Sequence, residues 1–335
     1  MVSVAMSSIG LTVCAQELCV KTVDGTTIHL TESMTSESCR RMDFSLPSAS
    51  MGRDIRVVMI LPPSCTDSGT EAYPFLYMLH GKDAPYDTWV NMSPIRKLLK
   101  DHPMVLVAFD GDPAGYYIDA PEKKDSQFET FFFDELSPFI EKAFWGNGQR
   151  AVTGFSMGGF GAVHYMLCRP DYFTSVSSLS GALRAKADYD QRRMDYFLPL
   201  LGPPDFHPEN YAVLDMQGRL KEMLASGAVI PPMFIACGAN DFLLEVNRRF
   251  RDILEDQNRK IIDQVTAEVA GITDAKEKRD TLRQKIAENQ INYLYEESPG
   301  DHNFAYWNEA SERVGFFHWK QFQNASQGAS LSTVK

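Results

Sequence analysis

Ser156 is the residue around which chemistry can be built. It stands in Gly154-Phe155-Ser156-Met157-Gly158, and a serine flanked by glycines at this spacing suits a tight strand-to-helix turn that exposes the hydroxyl on a strained backbone. With Gly and Ser each about 7% of residues, about 0.1 chance matches to the motif are expected in a chain of this length. Context therefore decides. The motif follows the strand-like Ala151-Val152-Thr153 and opens the helix-like Gly159–Leu167, which is the setting the chemistry requires.

A serine hydroxyl is a poor nucleophile at neutral pH, so a histidine must take its proton during attack. His302, in Ser298-Pro299-Gly300-Asp301-His302-Asn303, follows the strand-like Ile291–Tyr295 and comes after the serine, as the order serine, acid, histidine demands. His164 is only eight residues from Ser156 on the same helix, and His318 lies in the helical run Val314–Phe322, where a packed or surface role suits it. His207, in the Pro-rich loop Gly202–Pro208, is the reserve candidate. The acid must orient the imidazole and stabilise its charge. Asp241 fits, at the end of Gly238-Ala239-Asn240-Asp241 beyond the strand Met233–Cys237. Asp205 is a weaker rival, and Asp301 suits an N-cap or turn because neighbouring side chains diverge. Two backbone N–H groups must face the developing oxyanion. Met157 supplies one, and Lys82, after the strand Phe75–Leu79 and His80-Gly81, supplies the other, with His80 bracing the loop. The chemistry implied is nucleophilic attack on an acyl carbon through an acyl-enzyme, with no metal and no organic cofactor; hydrolysis of a carboxylic ester is the reaction expected.

These side chains need a scaffold. Short apolar runs at Ile55–Leu61, Phe75–Leu79, Met104–Phe109, Ala151–Phe155, Ser175–Leu179, Met233–Cys237 and Ile291–Tyr295 read as strands, mostly buried. Helix-length stretches such as Phe128–Phe144 and Phe160–Cys168 separate them, which predicts a mainly parallel α/β sheet. From about Thr22 to Leu61 no long helix intervenes, so antiparallel strands are expected at one sheet edge. Residues 258–290 are dense in charge, with Ile261, Val265, Val269 and Ile272 at helical spacing and then Leu282 and Ile286. They predict an amphipathic helix pair broken near Gly271: a solvated insertion, a lid or an oligomer contact. The expected organisation is a leader at 1–15, one α/β domain over 16–322 and a flexible tail at 323–335.

A net charge of −11 argues against a nucleic-acid partner, and no apolar run approaches the roughly 20 residues of a membrane span. Hydrophobic residues at 44% and charged residues at 23% are those of a globular chain. Met1–Ala15 is small and apolar and ends in Val13-Cys14-Ala15, like a secretory cleavage site, but no Lys or Arg precedes it. An exported protein is one expectation, and a cytoplasmic protein whose first strand starts here is the other. Among six cysteines, the early four (14, 19, 39, 65) suit one or two disulfides after export, while Cys168 and Cys237 read as buried thiols.

The segments LHGKDAPYDTWV, GFSMGGFGAVHYMLCRPDYF, CGANDFLLEVNRRF and SPGDHNFAYW together resemble an esterase family of α/β-hydrolases over roughly Arg53 to Phe317. That family includes tributyrin esterases, S-formylglutathione hydrolases, feruloyl and acetylxylan esterases of carbohydrate esterase family 1, and mycolyltransferases. The resemblance implies the α/β-hydrolase fold, Ser156, Asp241 and His302 as catalytic residues, and Lys82 and Met157 as oxyanion donors. Trp89 matches an aromatic of the family's oxyanion-side loop. Family members commonly pass from helix to last strand in a short turn, so residues 258–290 depart from the pattern. Trp89, Phe242 and Trp307, and more loosely Tyr116, Tyr117, Phe304 and Tyr306, are candidates to line an acyl or sugar pocket. The substrate class expected is a small-molecule or carbohydrate ester, with acetyl, other short acyl or feruloyl groups. An acyltransferase or thioester hydrolase would share the same site, and a non-catalytic binding scaffold is the rival from another class.

Overall fold

The computed structural model describes residues 17–66 and 71–332; the expected leader at 1–15 lies outside them. Ten strands form one sheet: β1 (Glu17–Val23), β2 (Thr26–Met34), β3 (Arg40–Ser48), β4 (Arg53–Leu61), β5 (Tyr73–Leu79), β6 (Val105–Phe109), β7 (Gly146–Phe155), β8 (Ser175–Leu179), β9 (Met233–Gly238) and β10 (Tyr293–Ser298). Their order is β1-β2-β3-β4-β6-β5-β7-β8-β9-β10. The first four run antiparallel, β4 pairs antiparallel with β6, and β6, β5, β7, β8, β9 and β10 are parallel. The antiparallel edge is where the lack of an early helix places it.

Local chemistry accounts for these elements. Asp24 and Gly25 both take positive φ, 49° and 84°, as a two-residue hairpin turn between β1 and β2 requires. Every residue of β5 is buried, which fits a strand covered by helices on both faces. All five residues of the serine-rich β8 are buried too. Ser175 and Ser177 are satisfied by His318, each at 2.8 Å from a ring nitrogen, and Ser177 donates to Thr153.

Helices cover both faces. On one lie the run α2 (Phe128–Thr130), the π-helical Phe131–Leu136 and α3 (Ser137–Ala143), with α4 (Met157–Cys168), α5 (Gln191–Leu201), α6 (Met216–Ala225) and the start of α7 (Leu244–Glu268). On the other, α1 (Ser93–Leu98) packs with α9 (Phe304–Ser332) through Ile95, Ala310, Val314 and Phe317. The charged segment is a helix pair, α7 followed by α8 (Ala275–Asn289), broken at 269–274. Asp274 caps α8 by accepting from the Lys276 and Glu277 N–H groups. Val265 and Val269 are buried, but α8 buries none of its residues, so its outer face meets solvent.

Several strand ends shift by a few residues from the sequence expectation, and two boundaries have a side-chain cause. β10 begins at Tyr293 rather than Ile291, because the Asn258 side chain takes both backbone groups of Ile291. Helix α9 runs on to Ser332, through residues whose polar composition predicts a tail. Gln149 holds that extension by donating to the Phe322 carbonyl and Ser326 hydroxyl.

Candidate active site

Ser156 joins the end of β7 to the start of α4 with φ 56° and ψ −114°. A non-glycine residue there is strained and persists only where its surroundings fix it. Its N–H donates to the Leu179 carbonyl at 2.9 Å and its carbonyl accepts from Phe160. A Cβ on Gly154 would run into the Gly158 carbonyl, and one on Gly158 into the Leu79 carbonyl. The two glycines thus let α4 fold back on β7 and let the end of β5 approach the serine. Phe155, just before the serine, stacks on Trp307 at 4.5 Å and tilts against Trp89 at 5.5 Å.

His302 lies between β10 and α9. Its Nε2 is 2.9 Å from Ser156 Oγ, and its Nδ1 is 3.0 and 2.9 Å from the two Asp241 oxygens. A carboxylate can only accept, so Nδ1 carries the proton and Nε2 turns a lone pair to the serine hydroxyl. Asp241 follows β9. Close approach of Gly238 to the Gly300 carbonyl, and the Asn240 N–H bond to that carbonyl, bring the two loops together.

The Asp241 side chain is fully buried while that of His302 is 17% exposed. Burial alone would raise the Asp241 pKa; donors from His302, the Leu243 N–H and the Ser180 hydroxyl outweigh it and hold the carboxyl below its ordinary value. Ser180 in turn accepts from the Trp307 indole N–H at 3.1 Å. Burial beside Asp241 pushes the nearby Cys237 thiol up to about 12, so it stays protonated. The His302 ring lies between Phe242, at 4.4 Å, and the edge of Trp307, at 5.0 Å.

The loop after β5 is held from three sides. The buried His80 donates from Nδ1 to the Gly81 carbonyl and accepts at Nε2 from the Gly111 N–H; Tyr117 donates to the His80 carbonyl, and Trp89 to the Leu79 carbonyl. Burial holds His80 neutral by lowering its pKa. The backbone N–H of Lys82 has no protein acceptor among the described residues, and that of Met157, first in α4, has no partner within its helix. Both residues line, with Ser156, a cavity of about 690 Å³. The remaining walls come from Tyr116, Leu243 and, in the segment after β8, Ala182, Arg184, Tyr189, Asp190, Arg193, Tyr196 and Phe197, with Phe242 at the rim, 71% exposed. None of residues 258–290 lines it.

The structure brings Ser156, Asp241, His302, Lys82, Met157 and Phe242 into one place. It does not bring Trp89 and Trp307 to the cavity, which corrects their reading as pocket residues: Trp89 is fully buried behind the elbow and Trp307 stands behind His302. Asp205 is exposed, and the half-buried His207 has Glu209 as its charged neighbour. His318 is packed, and burial depresses its pKa to about 3. Asp301 is exposed; the cap of α9 is Asn303, which accepts from the Tyr306 N–H. Ser180 and Arg184 also belong to the site, though no motif in the sequence marks them. Both follow β8, next to β7, and position after a parallel strand beside the nucleophile strand was the available signal.

A second cluster joins Glu129, His164 and Cys168. Arg219 donates to His164 Nδ1 at 2.9 Å and to Cys168 Sγ at 3.4 Å, and His164 Nε2 faces Glu129 at 3.1 Å. Arg219 thus ties His164 and Cys168 together by hydrogen bonds. Cys39, Cys168 and Cys237 are free thiols, and the side chains of Cys14 and Cys19 lie outside the described residues.

A family model described as "Putative esterase" matches residues 48–233. An esterase of Mycobacterium tuberculosis is 34% identical over 153 residues, 44% of this chain and 33% of that protein, so the chain spans about a third of that relative's length. An acetyl esterase of Caldicellulosiruptor saccharolyticus is 24% identical over 285 residues, 80% of this chain and 94% of its own. Among solved structures, a ferulic acid esterase superposes with a TM-score of 0.62 at 21% identity, covering 84% of this chain and 99% of that one. An S-formylglutathione hydrolase from Agrobacterium tumefaciens gives 0.64 at 18% identity, covering 87% and 98%. The fold is that of the α/β-hydrolases, with the mostly parallel sheet the sequence predicts. No helix among the described residues is long and apolar enough to cross a membrane.

Proposed function

The chain belongs to the family described as putative esterase, and on that premise we propose that it is a carboxylic ester hydrolase working through an acyl-enzyme on Ser156. The observation that carries this reading is the 2.9 Å contact from His302 Nε2 to Ser156 Oγ, with Nδ1 held on Asp241. Ser156 Oγ attacks the ester carbonyl as its proton passes to Nε2. The oxyanion is held by the Met157 and Lys82 N–H groups. Collapse breaks the bond to the alcohol oxygen, which leaves with the proton from His302. Water, deprotonated by the same nitrogen, then attacks the acyl carbon and restores Ser156. Asp241 keeps the ring in the required tautomer and stabilises its transient charge.

Likeness to an acetyl esterase and a ferulic acid esterase supports an acetyl, short acyl or feruloyl ester, carried on a carbohydrate if the protein is exported. Export is part of this proposal and rests on the sequence of residues 1–15; sequencing the mature N-terminus tests it. A second reading, a thioester hydrolase or acyltransferase, is favoured by the likeness to an S-formylglutathione hydrolase. The two differ in substrate and acceptor, and a profile across acetyl, butyryl, feruloyl and S-formyl substrates with competing alcohols separates them. The esterase reading requires release of p-nitrophenol from acetate or butyrate esters and at least about a 10³-fold loss in Ser156→Ala. A folded protein with no such release, or with release unchanged by Ser156→Ala, is a non-catalytic scaffold or uses other residues.

A further inference from the structure

The cavity above Ser156 is cationic in a chain whose net charge is −11. Its lining holds Lys82, Arg184 and Arg193 against one carboxylate, Asp190. Two of these cations are already spoken for: Lys82 Nζ pairs with Asp83 at 2.5 Å, and Arg193 with Asp190 at 3.0 Å. Arg184 is different. Among the described residues its guanidinium has neither an ion pair nor a hydrogen bond, and it is half-buried. Its backbone is fixed, because its carbonyl accepts from the N–H groups of Met216 and Gln217. The charge lies close enough to Tyr116 and Tyr189 to act on both hydroxyls, and Phe197 packs against both rings, at 4.7 and 5.9 Å.

A half-buried guanidinium without a counter-ion, in an aromatic-walled cavity that also exposes the nucleophile, is poised for an anion brought by the ligand. Its fork geometry matches a carboxylate, and aromatic walls limit the water that would screen the pair. One free positive charge matches a single negative one. We propose that Arg184 is a specificity-determining residue that binds a carboxylate on the ester substrate. The inference rests on the esterase reading and names the substrate class of that site: an ester of a dicarboxylic acid, or of an alcohol that carries a carboxylate.

The test compares kcat/KM within two matched pairs. The p-nitrophenyl monoester of adipic acid against p-nitrophenyl hexanoate puts the charge on the acyl side; 4-carboxyphenyl butyrate against phenyl butyrate puts it on the alcohol side. In one pair, Arg184→Gln is expected to lower the charged-to-neutral ratio by about tenfold to a hundredfold, the worth of a hydrogen bond to a charged group, and Arg184→Lys to restore part of it. The pair that responds identifies the side. A merely structural loss lowers both members alike and leaves the ratio where it was. An unchanged ratio in both pairs overturns the proposal, while continued Ser156-dependent hydrolysis of the neutral esters shows that the esterase reading survives its failure.

Discussion

Asp241→Asn keeps the shape of the acid and removes its charge, and the structure dictates how the replacement must sit. Asp241 Oδ1 accepts from the Leu243 N–H at 2.8 Å. An asparagine keeps that bond only by leaving its oxygen on Leu243, which turns its NH₂ toward His302 Nδ1. That group can only donate, and at the 2.9 Å position now held by Oδ2 it draws on the Nδ1 lone pair, which favours the tautomer with the ring proton on Nε2, facing Ser156. The imidazole then has no lone pair for the serine proton. Loss of the base by the wrong tautomer is worth on the order of 10⁴ in kcat, about 5 kcal/mol of transition-state free energy. The assay is steady-state hydrolysis of p-nitrophenyl butyrate by wild type and variant, with circular dichroism to confirm the fold. KM is expected to change little, since Asp241 is fully buried and touches no substrate. A folded variant that loses less than about tenfold refutes the reasoning.

Two further outcomes follow from groups outside the nucleophile. Ser180→Ala removes the hydroxyl that supports Asp241 and accepts from Trp307, so kcat is expected to fall roughly tenfold with KM nearly unchanged; a rate within twofold of wild type contradicts that role. His318 is buried and neutral, with its pKa depressed to about 3, so the unfolded chain binds the proton first as pH falls. Stability is complete above about pH 6.5 and declines from there toward pH 3, by up to about 1.4 kcal/mol per unit. Urea midpoints between pH 7 and 4.5 should fall more steeply for wild type than for His318→Gln; parallel curves contradict this assignment.

What was legible in the sequence is what local pattern encodes. The glycines at 154 and 158 announce a tight approach of backbone to backbone, and the structure shows which carbonyls they meet. Strands such as β5 are apolar throughout because both faces are covered, and their positions follow from that run alone. Asp241 and His302 stand out in the sequence because each follows a strand. The cavity walls were not legible. Arg184, Tyr189 and Phe197 are ordinary residues in a segment with no motif, and only tertiary packing turns them toward Ser156. The two tryptophans misled for the opposite reason: their ring size suits a pocket, but Trp89 and Trp307 clamp Phe155, an arrangement that depends on loops distant in sequence. The start of β10 was set by a side chain 33 residues away, Asn258, which no period in the strand itself reveals.

The central claim is that Ser156 is the nucleophile and His302 its base. Its most direct test is covalent trapping: incubation with an organophosphorus ester such as diethyl p-nitrophenyl phosphate, followed by intact-mass measurement and peptide mapping. The account predicts one diethylphosphoryl group per chain, located on Ser156, parallel loss of ester hydrolysis, and no labelling of Ser156→Ala or rapid labelling of His302→Ala. A label on another residue that tracks the loss of activity, or full activity in a protein labelled at Ser156, contradicts it.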